Sequence, residues 1–186
     1  MENTKRSKTP FDYIGQGTRG ARKEILELSK MLHAPILSSA LGKGIIPDNA
    51  PAYMGSAGRV ASKPGVEIAS NTDAVLFLGS DMPFQSFFIP KDAKYVQVDI
   101  DGTKFGRRHQ VDLAILADAK LTIKKLMEVG EQLPETNWYR AALADKENWV
   151  EWLEKRSVID SSPLEVEPVF KAINDMATDD AISKLM

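Results

Sequence analysis

Short apolar runs alternate along this chain with segments whose apolar residues recur at helical spacing. The run Ala74–Leu78 contains no polar residue and is bounded by Asp73 and Gly79, which is typical of a strand covered on both faces. Ala21–Leu32 instead has apolar residues spaced by four, three and four positions, which predicts one apolar face of a helix. On this basis strands are predicted at Phe11–Ile14, Ala34–Ala40, Ala74–Leu78, Tyr95–Ile100 and Leu113–Leu116, and helices at residues 21–32, 59–70 and 119–130.

The order of these elements indicates an α/β domain, because strands that alternate with helices form a parallel sheet with helices on both faces. The small-residue segment Met54–Gly58 is interpreted as a turn that leads into the second helix. The C-terminal part is predicted to be helical, with all three tryptophans in one helix (residues 138–152) and a second helix at Pro163–Met176. Asp179–Ile182 is interpreted as the approach to a further strand.

Composition narrows the class of protein. The chain has 186 residues, 43% hydrophobic and 27% charged, with a formal net charge of −2, so nothing favours nucleic acid or an anionic membrane as a partner. No apolar run approaches the length of a membrane span. The absence of cysteine and the presence of only two histidines exclude disulfides, thiol catalysis and cysteine- or histidine-rich metal sites. The polar, basic start lacks the apolar core of a secretory signal. We therefore expect a cytoplasmic protein with residues 1–9 disordered.

Acidic residues follow two of the predicted strands. Asp99 and Asp101 come at the end of Tyr95–Ile100, and Asp118 follows Leu113–Leu116. The carboxyl ends of parallel strands lie at one edge of the sheet, where open α/β sheets bind ligands. The pattern predicts solvent-accessible carboxylates at a ligand site, and ordinary turn aspartates are the alternative interpretation.

A glycine-rich turn follows the first predicted strand. Gly15, Gly17 and Gly20 fit the dinucleotide fingerprint G-x-G-x-x-G between a strand and a helix. An NAD site also needs an acidic residue about 20 positions later, whereas the second strand ends in Ser38-Ser39-Ala40. The fingerprint alone is weak evidence for NAD, and a tight strand-to-helix connection without a ligand explains it as well.

Three further loops at the same predicted edge carry small residues, namely Ser39–Gly44, Gly55–Gly58 and Gly79–Ser80. Four such loops leave room for a long, flat ligand such as a flavin dinucleotide. Arg59 could pair with its pyrophosphate, because a guanidinium matches phosphate oxygens; a surface residue of a helix's first turn is the alternative. Met82 lies in a loop at this edge and could touch a ring.

Other conspicuous residues have simpler interpretations. Lys104, Arg107 and Arg108 form a basic run, for which a solvated face is favoured over phosphate binding. His109, beside them, is interpreted as part of a solvated turn. The aromatic residues of segment 138–152 recur at helical spacing and indicate core or interface packing more than a cofactor site.

Four segments together resemble the thiamine-diphosphate-dependent pyruvate oxidase family. They are PAYMGSAGRVASKP (51–64), AVLFLGSDMPF (74–84), VQVDIDGTKFGRRHQVDLAILADAK (96–120) and PLEVEPVFKAIND (163–175). The likeness covers about residues 13–183 and fits the middle of that family's three α/β domains, and it extends more loosely to acetolactate synthase. It implies a three-layer, doubly wound, mostly parallel six-stranded sheet of Rossmann-like type.

The resemblance also implies a domain layout and a cofactor. Residues 10–134 would be the FAD-binding middle domain, 135–162 a helical linker, and 163–186 the start of a truncated diphosphate-binding domain. Thiamine diphosphate and Mg²⁺ would be bound only in the full-length enzyme, a homotetramer. The FAD contacts that the resemblance implies fall on Gly15, Gly17, Ser39, Gly55, Ser56, Arg59, Gly79, Asp81, Met82, Asp99, Ile100, Asp101, Asp118 and Ala119.

Departures from the family pattern define what this chain is expected to lack. Asp12 interrupts a first strand that is usually more apolar, and Gly58 stands where the family has asparagine. The family's cofactor-activating glutamate and its Gly-Asp-Gly metal motif are not in this sequence, so the chain is interpreted as an excised piece. No catalytic or metal-binding residue is predicted, and the fragment alone is expected to be inactive. The alternatives are a middle domain of acetolactate synthase or a related enzyme, and a non-catalytic nucleotide-binding domain.

Overall fold

One parallel sheet organises the N-terminal part of the chain. The computed structural model describes residues 7–81, 88–178 and 181, and the chain divides into two compact units, Met1–Lys146 and Glu147–Met186. The first unit holds six strands in the order β3-β2-β1-β4-β5-β6, and every neighbouring pair is parallel. The strands are β1 Pro10–Ile14, β2 Ile36–Ser38, β3 Tyr53–Ser56, β4 Ala74–Leu78, β5 Lys94–Asp99 and β6 Leu113–Leu116.

Helices cover both faces of this sheet, which confirms the predicted three-layer α/β fold. One face packs Phe11, Tyr13 and Phe77 against helix residues 63–70 and Ala142. The opposite face packs Ile14, with its neighbours in other strands, against residues 22–32 and 119–129. Alternate residues of β1 therefore enter different halves of the core, as the two-residue period of a strand requires. The helices are α1 Arg22–Leu32, α2 Lys63–Ser70, α3 Ala119–Val129, α4 Asn137–Arg156 and α5 Val166–Met176.

The interpretation of Met54–Gly58 as a turn was wrong, because Tyr53–Ser56 forms β3 at one edge of the sheet. Tyr53 and Met54 are buried, but Gly55 has a φ of 94° and the strand is only four residues long. So short a strand with an internal glycine gives no alternating pattern in the sequence.

The second helix also starts later than the sequence predicted. It begins at Lys63 because the Ser62 hydroxyl accepts a hydrogen bond from the Gly65 amide and Pro64 occupies its first turn. Residues 57–62 are therefore a loop. Arg59 lies in this loop and not in a helix.

Asp12 does not exclude β1 from the sheet, since β1 is the central strand between β2 and β4. The Asp12 side chain is 1% exposed, and its Oδ2 atom has no hydrogen-bond partner among the described residues. Burial raises the pKa of this carboxyl to about 8, because an apolar surrounding disfavours the charged form.

The predicted N-terminal tail lies partly outside the described residues. Within the described part, the Lys8 and Thr9 amides donate to the Asp73 carboxylate over 2.8 and 3.0 Å. The predicted approach to a further strand at Asp179–Ile182 lies outside the described residues except for Ala181. The domain boundaries at residues 134 and 162 stay predictions.

The second unit contains the end of α4 and α5. The rings of Trp149 and Trp152 stack with their centroids 4.9 Å apart. Arg156 forms ion pairs with Glu165 and Glu167, the latter at 2.9 Å. In the part of the chain that the structure describes, no helix is both long and apolar enough to cross a membrane.

Candidate functional site

The carboxyl ends of all six strands lie at one edge of the sheet because the strands are parallel. Thirteen of the fourteen predicted contact residues lie at this edge, either in the last residues of a strand or in the segment that follows it. They are Gly15, Gly17, Ser39, Gly55, Ser56, Arg59, Gly79, Asp81, Asp99, Ile100, Asp101, Asp118 and Ala119. The remaining one, Met82, lies outside the described residues. The topology thus brings the predicted residues to a common edge, and their contact with a ligand stays a prediction.

Asp99 ends β5 and is buried, which corrects the expectation of a solvent-accessible carboxylate. The residue is 4% exposed. Its Oδ1 atom accepts a hydrogen bond of 3.0 Å from the Asp101 amide and lies 3.8 Å from the Lys104 ammonium nitrogen. The side chain therefore fixes the backbone turn that follows β5.

Asp101 and Asp118 each organise the start of the next element with one carboxylate oxygen. Asp101 Oδ1 accepts from the amide and hydroxyl of Thr103, and these bonds hold the Asp101 pKa below its ordinary value. Asp118 Oδ1 accepts from the Leu121 amide and caps α3 at Ala119. The second oxygen of each carboxylate has no hydrogen-bond partner among the described residues, so each can still accept from a ligand.

Exposed apolar side chains also lie along this edge of the sheet. Ile100 is 75% exposed between Asp99 and Asp101, and Leu116, at the end of the neighbouring β6, is also exposed. Leu41 and Val60 are exposed in the loops after β2 and β3. Apolar groups beside a few polar ones are typical of small-molecule sites. The sequence analysis missed Leu41, Val60 and Leu116, although each lies at or just after the end of a strand.

The glycines of the first turn are explained by backbone packing. The Gly15 and Gly17 amides donate to the carbonyls of Leu78 and Gly79, both over 3.0 Å. A Cβ atom at Gly15 would lie 2.3 Å from the Gly79 oxygen, and one at Gly17 would lie 2.8 Å from the Gly79 Cα. These two amides are therefore occupied within the protein. The turn requires glycine whether or not a phosphate lies beside it.

Internal hydrogen bonds likewise shape the loops after β2 and β3. The Ser39 hydroxyl accepts from the Gly42 amide over 3.1 Å. The Ser62 hydroxyl donates to the Met54 carbonyl over 2.6 Å, beside Gly55. Tight turns are therefore sufficient to explain the small residues at this edge.

Arg59 is different, because it is exposed and makes no side-chain hydrogen bond or ion pair with the described residues. Arg19, in the first turn, is likewise exposed and unpaired within the described part of the chain. Guanidinium groups with free donors at a sheet edge suit an anionic ligand group. The alternative interpretation, a surface residue in the first turn of a helix, was right about the exposure of Arg59 and wrong about the helix, which begins at Lys63.

The basic run after β5 is exposed at Arg107 and Arg108, as expected for a solvated face, but both side chains are ion-paired. Arg107 and Arg108 contact the two carboxylate oxygens of Asp81 at 3.3 and 3.4 Å. His109 stacks on the ring of Tyr95 with a centroid separation of 3.7 Å, so it is held against the sheet. These contacts join residues far apart in sequence, and no local pattern predicts them.

Comparison with known proteins supplies the family. The sequence profile described as thiamine pyrophosphate enzyme, central domain, matches residues 2–126. The chain belongs to this family. The pyruvate oxidase of Lactiplantibacillus plantarum is 41% identical over 175 residues, which are 93% of this chain and 29% of that protein.

Other relatives of this central domain are more distant. A putative thiamine pyrophosphate-containing protein of Bacillus subtilis, YdaP, is 29% identical over 95% of this chain and 30% of its own length. A probable acetolactate synthase large subunit of Methanococcus aeolicus is 30% identical over 86% of this chain and 27% of its own length. The chain therefore spans less than a third of the length of these curated relatives.

Proposed function

We propose that this central domain binds FAD and belongs to a pyruvate oxidase. The observation that carries the proposal is the end of β5, where exposed Ile100 lies between Asp99 and Asp101, and where Asp99 pairs with exposed Leu116 of β6. An apolar surface next to carboxylate acceptors fits an adenosine group. The 41% identity to a pyruvate oxidase supports the choice among thiamine pyrophosphate enzymes.

In this proposal the residues of the carboxyl edge have different roles in binding FAD. Asp101 and Asp118 accept hydrogen bonds from adenosine hydroxyls through their free oxygens, and Asp99 acts by holding the Asp101 backbone. Ile100 contacts the adenine ring. Arg59 pairs with the pyrophosphate, since its guanidinium has no partner among the described residues. Gly15, Gly17 and Gly79 keep the first turn close to the sheet.

In the full-length enzyme, bound FAD would accept the electrons released when pyruvate is decarboxylated. The overall reaction we propose converts pyruvate, phosphate and O₂ to acetyl phosphate, CO₂ and H₂O₂. Thiamine diphosphate and Mg²⁺ would be bound by other parts of a cytoplasmic homotetramer. The role of this chain is to bind and orient FAD. The isolated chain is expected to be inactive and to be a monomer or weak dimer.

The test of this proposal is nucleotide binding by the purified chain. Flavin absorbance after purification, or saturable binding of FAD or ADP by calorimetry, is the expected result. ADP is the sharper probe because the adenosine half of the site needs only residues of this chain. A wild-type chain that binds neither FAD nor ADP contradicts the proposal.

The acetolactate synthase relative supports a second candidate, a middle domain in which flavin is structural or absent. A third candidate is a non-catalytic nucleotide-binding domain. Flavin that is bound and reduced during pyruvate turnover in the full-length enzyme supports pyruvate oxidase. Flavin that is bound in that enzyme but stays oxidised supports the second candidate. ADP binding by this chain, with no flavin bound to the full-length enzyme, supports the third.

A further inference from the structure

Two loops at the carboxyl edge are joined by ion pairs. The β4 turn (Gly79–Asp81) follows β4, and the β5 loop (residues 102–110) connects β5 to β6. Asp81 of the turn uses one oxygen for Arg107 and the other for Arg108, at 3.3 and 3.4 Å. The Asp81 side chain is mostly buried, whereas both guanidinium groups are about half exposed. Two ion pairs thus join the Asp81 carboxylate to the β5 loop.

The buried side-chain amide of Gln97 contacts the same two loops. Gln97 in β5 is buried, and its Nε2 atom donates to the Ser80 carbonyl over 3.5 Å and to the Lys104 carbonyl over 3.3 Å. One side chain therefore contacts the β4 turn and the β5 loop together. The stacking of His109 on Tyr95 attaches the far end of the β5 loop to the sheet.

These contacts lead directly to the proposed adenosine acceptor. The Lys104 amide donates to the Asp101 carbonyl over 3.1 Å, so the segment held by Gln97 also fixes Asp101. The Lys104 ammonium lies 3.8 Å from Asp99. A displacement of the β5 loop would therefore move Asp101 and remove the cation beside Asp99.

We propose that Asp81 and Gln97 are positioning residues that hold the β5 loop, and with it Asp101, in the binding arrangement. In this assignment Asp81 acts through Arg107 and Arg108 and does not contact the ligand. Asp81 and Gln97 hold the β5 loop whether or not a ligand is bound. The expected effect of their substitution on nucleotide affinity rests on the proposed function.

Amide hydrogen exchange of the whole chain, without ligand, tests the holding of the β5 loop. Ion pairs whose cations are about half exposed are weak, so Asp81→Asn should raise exchange in residues 102–110 about two- to fivefold. Arg107→Gln with Arg108→Gln should have the same effect, and Asp81→Glu should restore slow exchange. Gln97→Met, which keeps the side-chain length but removes the donor, should also raise exchange there. Lys125→Gln, which breaks an exposed pair of 2.9 Å on α3, is the matched control.

Combining Asp81→Asn with the two arginine variants should raise exchange no further than Asp81→Asn alone, because the three residues form one interaction. Exchange in residues 102–110 that is unchanged in Asp81→Asn, or that rises additively in the combined variant, overturns the proposal. Increased exchange throughout the chain, with a lowered denaturation midpoint, also overturns it, since the effect would then be general destabilisation.

ADP affinity tests the second half of the proposal. The dissociation constant should rise about two- to fivefold in Asp81→Asn and equally in the double arginine variant. A further loss when Asp81→Asn is added to the arginine variant would show direct ligand contact and overturn the positioning role. A wild-type chain that binds no ADP overturns the proposed nucleotide site. In that case hydrogen exchange alone tests whether Asp81 and Gln97 hold the β5 loop.

Discussion

Arg59 is the single side chain on which the proposed site depends most directly. It lies in the loop after β3, exposed and without a side-chain partner among the described residues. Because a charge-assisted hydrogen bond contributes substantially to binding, Arg59→Ala should raise the ADP dissociation constant about ten- to a hundredfold. Calorimetric titration measures the change, and circular dichroism checks the fold.

The control for that substitution must be another exposed arginine. His109 is unsuitable because it stacks on Tyr95. Among the described residues, the side chain of Arg140 near the start of α4 pairs only with Glu135 and Asn137, so Arg140→Ala should leave the affinity unchanged. Equal losses from Arg59→Ala and Arg140→Ala would indicate a nonspecific charge effect and contradict the assignment.

Asp12 should make the free energy of unfolding depend on pH. Its pKa is about 8 in the folded protein and about 3.8 in its ordinary state. The folded chain therefore keeps a proton that the unfolded chain loses, so stability falls as the pH rises from about 4 to about 8. An asparagine at this position cannot ionise, so Asp12→Asn should abolish the part of the stability loss that Asp12 causes.

Urea denaturation at pH 5 and at pH 8.5 measures the effect. The comparison of interest is the loss of stability between the two pH values, because other titrating groups contribute equally to both proteins. The wild type should lose more stability than Asp12→Asn. Equal losses would mean that the Asp12 carboxyl titrates alike in the folded and unfolded chains.

At the scale of elements, the packing of two turns against each other limits what can replace their glycines. Gly79 has a φ of 58°, and a Cβ atom there would lie 2.6 Å from the Gly17 Cα. Gly79→Ala should therefore cost more than the roughly 1–3 kcal/mol expected for backbone strain alone. Denaturant unfolding measures the difference.

Gly20 provides the matched comparison, since its φ is 80° but a Cβ atom there would meet nothing within 4 Å. Gly20→Ala should cost only the backbone strain. If the two variants lose the same free energy of unfolding, the close approach of the two turns does not constrain the sequence.

The elements also show what the sequence could predict. β4 was recognisable because AVLFL is apolar without interruption, and the sheet with its helices followed from the alternation of elements. β3 was not recognisable, because a four-residue strand containing Gly55 has the composition of a turn. The aspartates were correctly predicted at the carboxyl edge. Asp99, however, is buried and contacts Lys104 and the Asp101 backbone, which the apolar and polar pattern of the strand does not predict.

At the scale of the whole molecule, the chain by itself should have no pyruvate oxidase activity. It spans 29% of the pyruvate oxidase that it matches at 41% identity, and we propose that thiamine diphosphate is bound by other parts of the full-length enzyme. Oxygen consumption with pyruvate, phosphate, thiamine diphosphate, Mg²⁺ and FAD should equal the blank. Turnover above the blank would contradict the proposal that other parts of the full-length enzyme are needed for activity.

The central position of β1 has a consequence for how the chain is made. β1 precedes the other five strands of this sheet along the chain, yet it pairs with β2 on one side and with the much later β4 on the other. During translation one edge of β1 therefore stays without its partner while residues up to β4 leave the ribosome. Contacts between residues distant in sequence form slowly, and unpaired strand edges promote misassembly. Release of a nascent chain before β4 would leave that edge open for other strands.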